Sequence, residues 1–201
     1  RGIGADCLIE GGQTMNPSTE DMLKAIERVN AENIFILPNN KNIIMAAQQA
    51  RDLTEDKNII VIPSRTVPQG ITALVNFMPD LGPEENTRTM TEEMGNVRTA
   101  QITYAVRTTN IDGIDIEEGD IMALGDHGIL AVGKSVDGVA LEAMKEMLDD
   151  ESELVTIYYG ADVSEHEAKV LEEQAQEQYP DKEIELQYGG QPIYYYLISA
   201  E

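Results

Sequence analysis

Hydrophobic and polar positions follow two different rhythms along this chain. In the first third, short apolar runs at residues 7–9, 33–37 and 59–62 predict strands, and helical patterns lie between them. Met22, Leu23, Ile26 and Val29 recur at the spacing of one helix face over about 19–29, with Ser18 at the N-cap position and Glu20 and Asp21 in the first turn. Pro38 stops the second run, and Asn39-Asn40 are expected to open a helix through Ala50. Pro68 suits the first turn of a short helix over 70–77, and 84–96 reads as a polar surface helix. Strands alternating with helices indicate βαβ units and a parallel sheet.

Past residue 99 the rhythm changes. Ala100, Ile102, Tyr104 and Val106 alternate with Gln101, Thr103, Ala105 and Arg107, the period-two pattern of a half-buried strand. Turn signals at Asp112-Gly113 and Glu118-Gly119-Asp120 divide the following apolar positions into a small antiparallel β-meander that runs to about Lys134. A helix over 137–148, a strand over 154–160, a helix opened by the capping-box pair Ser164 and Glu167, and strands over 183–188 and 193–198 complete the chain. The expected fold class is α/β and two-lobed: a parallel sheet with flanking helices, a β-meander, and a second, smaller α/β lobe. The expected divisions are 1–97, 98–135 packed with the first lobe, and 136–201.

Charge adds a function class to exclude. The 201 residues carry 37 acidic and 14 basic side chains, a formal charge of -23, so a nucleic-acid surface, which needs clustered Lys and Arg, is ruled out. The imbalance grows along the chain, from -5 over 1–100 to -8 over 101–150 and -10 over 151–201. A single cysteine, Cys7, permits no intramolecular disulfide, and no apolar run approaches the roughly 20 residues that span a bilayer, so a cytoplasmic location is expected. The chain opens at Arg1 already in a strand-like pattern, and it reads as a piece of a longer protein.

The densest group of polar and special-geometry residues is Gly11-Gly12-Gln13-Thr14-Met15-Asn16-Pro17-Ser18. A loop entering a helix N-terminus presents free N–H groups to an anion, and Gln13, Thr14, Asn16 and Ser18 can add side-chain hydrogen bonds to a carboxylate or phosphate. Equally, Ser18 can serve only as a helix cap. Asp126 beside His127 has the composition of an oriented general base, and Gly125-Asp126-His127-Gly128 has equally that of a hairpin turn. Two scattered histidines and one cysteine offer no metal-ligand spacing, and neither a phosphate-binding GxxxxGK[ST] loop nor a GxSxG elbow occurs. No complete catalytic set is assembled. The tyrosines Tyr158, Tyr159, Tyr188 and Tyr194 to Tyr196 fit either a core or a partner surface.

Several ordered motifs carry a resemblance. The segments Glu10-Gly11-Gly12-Gln13-Thr14-Met15-Asn16-Pro17-Ser18-Thr19-Glu20-Asp21, Ile36-Leu37-Pro38-Asn39-Asn40-Lys41-Asn42-Ile43, Val67-Pro68-Gln69-Gly70-Ile71, Thr103-Tyr104-Ala105-Val106-Arg107 and Tyr158-Tyr159-Gly160 together resemble the C-terminal region of the kinase subunit of bacterial fatty acid kinase, a dihydroxyacetone-kinase-like family. The resemblance implies a parent enzyme that phosphorylates the carboxylate of a fatty acid carried by a separate fatty-acid-binding protein. It places ATP and magnesium in an N-terminal domain outside this chain, so no cofactor and no catalytic residue are expected here, and it implies a partner-docking role. The Gln13 to Ser18 loop is also similar to the Ser-Gln-Pro-Ser loop that helps to hold the carboxylate in DegV-type fatty-acid-binding proteins. Gly12 stands where that family has Ser. The alternative implied is an acyl or small-anion binding domain.

Overall fold

The computed structural model describes residues 4–11, 15–111 and 113–201. The chain divides into two compact units, Arg1–Val97 and Arg98–Glu201.

In the first unit, α1 (Thr19–Arg28) begins at Ser18, whose Oγ accepts the Asp21 N–H while the Asp21 carboxylate accepts the Ser18 N–H. Met22, Ala25 and Ile26 form its buried face. β1 (Asn33–Ile36) and β2 (Asn58–Val61) pair in parallel, Asn33 opposite Asn58 and Ile36 opposite Val61, joined through α2 (Ile44–Leu53). The anticipated βαβ unit is thus present. Its core joins Met22, Ile26, Ile34, Ala47, Ala50 and Ile59. A second cluster gathers Ile62, Ala73, Met90 and Met94 from the end of β2, α3 (Val67–Val75) and α4 (Pro83–Asn96).

Four local expectations change. Residues 7–9 form no strand, and Leu8 lies 53% exposed with no ladder partner among the described residues. Asn39-Asn40 do not cap a helix: Asn39 takes a left-handed φ of 56°, Asn40 Oδ1 accepts the Asn42 N–H, and α2 starts several residues later without a side-chain cap. α3 starts earlier than expected because Thr66 supplies its cap, with Pro68 in the first turn. α4 is not merely a surface helix, since Met90 and Met94 are buried and the Asn86 side chain bridges Met78 and Leu81.

The second unit is organised by one six-stranded sheet. β3 (Arg98–Tyr104), β6 (Ile121–Gly125), β7 (Ile129–Gly133), β8 (Leu154–Tyr159), β9 (Glu183–Tyr188) and β10 (Tyr196–Ala200) lie in the order β7-β6-β3-β10-β8-β9. β4 (Thr109–Ile111) and β5 (Ile114–Ile116) form a separate antiparallel pair. Of the strands expected to pack with the first lobe, β3 bonds to β10, the last strand in sequence, and β6 and β7 follow on β3. Residues 98–135 belong with 136–201, and the α/β alternation that resumes near 136 marks no boundary. The final strand also starts later than expected, at Tyr196.

Two helices cover one face of this sheet, α5 (Val136–Met147) and α6 (Glu165–Gln178). Ala140, Ala143, Met144 and Met147 from α5, and Ala168, Leu171 and Ala175 from α6, pack on Ile102, Ala123, Ile157, Tyr196 and Ile198. The many alanines bring the helices close to the strands, and the larger side chains fill the remaining spaces at near-crystalline density. β8, α6 and β9 make a second parallel βαβ unit, Val155 opposite Ile184 and Ile157 opposite Leu186. Met144 and Met147 are core residues.

Candidate functional site

The carboxyl ends of β1 and β2 converge on the N-terminus of α3, the kind of crevice in which parallel α/β folds place ligands. Pro38 and Pro63 end the two strands, and the loops that follow are locked together. The Asn39 N–H donates to Ser64 Oγ at 3.0 Å, and the Ser64 hydroxyl donates back to Asn39 Oδ1 at 2.8 Å. Ser64 is fully buried, so this reciprocal pair satisfies a hydroxyl that would otherwise be costly. Asn is among the few residues that accept the left-handed backbone required at position 39.

Gly70 completes the contact. A Cβ there would stand 1.9 Å from Asn39 Oδ1, so only glycine lets α3 approach the Asn39 side chain. Thr66 Oγ1 accepts the Gln69 N–H, and Gln69 Oε1 accepts the Arg65 N–H at 2.9 Å, which fixes the first turn of α3. Arg65 is exposed and brings a cation to this loop. The arrangement is a polar corner whose named groups are bonded to one another, with no nucleophile beside a base. Sequence reading did not predict this corner, although Asn39 and Gly70 both lie in motifs that carry the resemblance. Their meeting depends on a fold contact between loops 25 residues apart.

Of the residues expected to bind a ligand, Gln13 and Thr14 lie outside the described residues. Asn16 is exposed. Ser18 is engaged by its own helix: besides accepting from Asp21 N–H, its hydroxyl donates to Asp21 Oδ2 at 2.7 Å. These bonds, first from the Ser18 backbone and then from its side chain, hold the Asp21 carboxyl below its ordinary pKa. Thr19 Oγ1 reaches Gln49 Oε1 at 3.0 Å and ties the start of α1 to α2.

Asp126 and His127 sit in the hairpin turn between β6 and β7. The Asp126 carboxylate accepts the Thr99 N–H at 2.9 Å and the Thr99 hydroxyl at 2.7 Å, anchoring the turn to β3, while His127 is exposed. The bonds of Asp126 serve the turn and do not orient an imidazole. The tyrosines divide: Tyr196 is buried in the core, Tyr159 and Tyr188 meet with rings tilted by 55° and centroids 5.2 Å apart, and Tyr188 is largely exposed.

Among the described residues, two of the clefts open to solvent border the first unit's helices. One, of about 310 Å³, is lined by Leu23, Ile26, Leu53, Glu55, Asp56 and Lys57. The other, of about 470 Å³, lies among Asp6, Cys7, Arg28 and Asn30. Neither lining is the predominantly apolar one that an acyl chain needs. Among the described residues no three His, Cys, Asp or Glu side chains converge on a point that would hold a metal ion. Among the described residues no helix is long and apolar enough to cross a membrane.

Charge separates the units. By sequence, residues 1–97 hold 14 acidic and 8 basic side chains (-6), and residues 98–201 hold 23 and 6 (-17). In the second unit Arg98 pairs with Asp149, Lys134 with Glu117 and Asp120, Lys145 with Glu142, and Lys169 with Glu165. Lys182 donates to the Asp149 and Ser152 carbonyls. Most of its cations are therefore already engaged within the unit, and the surplus carboxylates face solvent.

Comparison with known proteins supplies the family. Protein YloV of Bacillus subtilis (strain 168) is 46% identical over 201 residues, all of this chain and 36% of its own length. A Staphylococcus aureus (strain MRSA252) protein is 42% identical over the same span, again 36% of its length. The chain thus spans about a third of these relatives. Among solved structures, the Streptococcus pneumoniae fatty acid kinase B3 protein loaded with linoleic acid superposes with a TM-score of 0.64 at 16% identity, covering 92% of this chain and 76% of that one. A DegV family protein from Corynebacterium glutamicum gives 0.66 at 14% identity, with 96% and 86% covered. The dihydroxyacetone kinase of C. freundii with AMP-PNP and Mg2+ gives 0.59 at 15% identity, with 92% and 41% covered. At these identities the structures establish a shared fold. The family model that describes the C-terminal region of FakA-like fatty acid kinase subunits matches residues 1–201 in full, and the chain belongs to that family.

Proposed function

We propose that this chain is the partner-docking module of a fatty acid kinase subunit. It holds a separate fatty-acid-binding protein while the parent enzyme transfers a phosphoryl group from ATP to the acyl carboxylate. ATP and magnesium bind in this reading to a domain outside the chain, in agreement with the third of the relatives' length that it spans. The observation that carries the reading is the charge of -17 on a second unit whose cations are largely engaged internally. Such a surface steers a partner with a basic patch and loses its advantage as salt screens it. Calorimetry of the chain against a linoleate-loaded fatty-acid-binding protein of the B3 type, at low and at high salt, tests this. Binding that weakens with salt is expected, and no heat at either salt would overturn it.

A second reading, acyl or small-anion binding through the Gln13 to Ser18 loop, draws support from the fold shared with a protein loaded with linoleic acid. Against it stand the engagement of the Ser18 hydroxyl in its own helix cap and the polar lining of the two clefts. Fatty acid co-purifying with the chain, and lost on Gln13→Ala with Ser18→Ala, would favour it.

A further inference from the structure

The end row of the six-stranded sheet places Tyr104 opposite Ile121, and residues 105–111 and 113–120 continue beyond it as a ribbon. The Ala105 N–H donates to the Asp120 carbonyl and the Gly119 N–H to the Ala105 carbonyl, both at 2.8 Å. Further out, the Glu118 N–H reaches Thr108 Oγ1, and β4 pairs with β5. The base is fixed by Asp120, a buried carboxylate that accepts the Glu117 N–H at 2.9 Å and the Lys134 ammonium at 2.5 Å. Lys134 and then the Glu117 N–H hold its pKa below the ordinary value.

Near the far end Ile111 stands directly across from Ile114, each 39% exposed, whereas Ile116, nearer the base, is fully buried. Asn110, on the alternate face, donates to Asp115 at 2.7 Å. Among the described residues of the second unit, five large apolar side chains are exposed: Tyr104 stands at the base of this excursion, and Val106, Ile111 and Ile114 lie on it. Scattered exposed apolar residues need no explanation, but such a concentration is the kind of feature that goes with interaction sites. Short two-stranded ribbons are marginal in water, so an apolar end on one gains by being covered.

Charge selects the cover. Residues 105–120 contain Asp112, Asp115, Glu117, Glu118 and Asp120 against Arg107 alone. A second copy of the chain would bring the same acidic ribbon and a formal charge of -23, and an anionic lipid surface would bring charge of the same sign. We propose that the ribbon is the docking element of this chain, and that Ile111 and Ile114 insert into an apolar cleft of a separate protein whose rim carries Lys and Arg. This rests on the partner-docking reading above and assigns it a surface.

The test uses the chain with linoleate-loaded B3-type protein as the probe, in calorimetry at low and high salt, with folding of each variant checked by circular dichroism. Ile111→Ser with Ile114→Ser should weaken binding about tenfold or more at both salts. Asp115→Asn with Glu118→Gln should weaken it severalfold at low salt and hardly at high salt. If the unaltered chain binds and both double variants bind within about twofold of it, the ribbon is not the surface and the docking reading survives. If the unaltered chain does not bind at either salt, the docking reading fails and the ribbon's assignment fails with it. Self-association, or capture on anionic phospholipid vesicles, that depends on Ile111 and Ile114 would overturn the proposed occupant.

Discussion

Residues 19–61 and 136–188 follow the same order of elements, helix, strand, helix, strand, with the two strands parallel in each case. The likeness reaches single bonds. In the first unit the Asn58 N–H, at the start of β2, donates to the carbonyl of Glu32 just before β1, and in the second the Glu183 N–H, at the start of β9, donates to Glu153 just before β8. The preceding lysine does the same work in both. Lys57 donates to the Ile26 and Val29 carbonyls at the end of α1, and Lys182 donates to Asp149 and Ser152 after α5. A cation at the carboxyl end of a helix adds a charged hydrogen bond to the carbonyls there and offsets the helix dipole. The difference lies in what is added. The first pair of strands remains a pair, beside α3 and α4, whereas the second is extended by four antiparallel strands. One plan thus leaves a polar corner at Asn39 and Ser64 in one unit, and in the other supports a broad sheet from which an acidic ribbon extends.

The sharpest way to break this equivalence is at the two glycines that follow it. A Cβ at Gly160 would lie 2.2 Å from the Tyr194 carbonyl oxygen and 2.7 Å from that of Gln191, which are backbone atoms with little freedom to yield. Gly160→Ala should cost about 3 kcal/mol in chemical unfolding. At Gly70 the obstacle is the Asn39 side chain, so Gly70→Ala should displace it, strand the buried Ser64 hydroxyl and cost about 2 kcal/mol. A larger loss at Gly70 would mean that the polar corner, and not the sheet end, is the more rigid of the two.

The lysines test the likeness directly. Lys57→Met and Lys182→Met each remove two charged hydrogen bonds to carbonyls, and each should cost about 2 kcal/mol, read from denaturant midpoints. Unequal losses would show that the two modules share a plan without sharing its energetics.

The smallest expected effect concerns the capping boxes. Asp21 and Glu167 are both held below their ordinary pKa values, Asp21 first by the Ser18 N–H and Glu167 first by the Ser164 hydroxyl. A carboxyl with a lowered folded-state pKa adds stability that is present above its unfolded value and lost as pH falls through the folded one. Both first turns should therefore weaken below about pH 4. Asp21→Asn and Glu167→Gln should each flatten that acid limb in a melting series; an unchanged limb would place the acid sensitivity elsewhere.

Local signals carried much of the fold. Ser164 with Glu167 marked α6, alternation at Ala100, Ile102 and Tyr104 marked β3, and the Gly125 to Gly128 turn joins two strands as its composition allowed. Other features rest on distant partners that no window reveals. Cys7, Leu8 and Ile9 have strand-like residues but no strand beside them. The meander's affiliation was decided by β10, about 90 residues beyond β3, because hydrogen bonds to Tyr196, Ile198 and Ala200 complete the ladder. Met90 and Met94 looked like occasional apolar positions on a polar helix until Ile62 and Ala73 were seen against them. The corner at Asn39 was hidden for the same reason, since neither Ser64 nor Gly70 is a neighbour in sequence. The repeated lysine device has no signature in the sequence because its geometry recurs while the surrounding residues differ.

The position of β10 has a kinetic consequence. In sequence it follows every other strand, yet it lies in the middle of the sheet, between β3 and β8. Until it arrives from the ribosome, β7-β6-β3 and β8-β9 are separate fragments, each with an open inner edge. The first unit's parallel strands are complete by residue 61. The second unit must wait for residues 196–200 before its ladder closes, so a nascent chain exposes two sticky edges during that interval. Abundant carboxylates on those late segments would then guard the unfinished sheet against pairing with a neighbouring chain, a task finished before any partner is met.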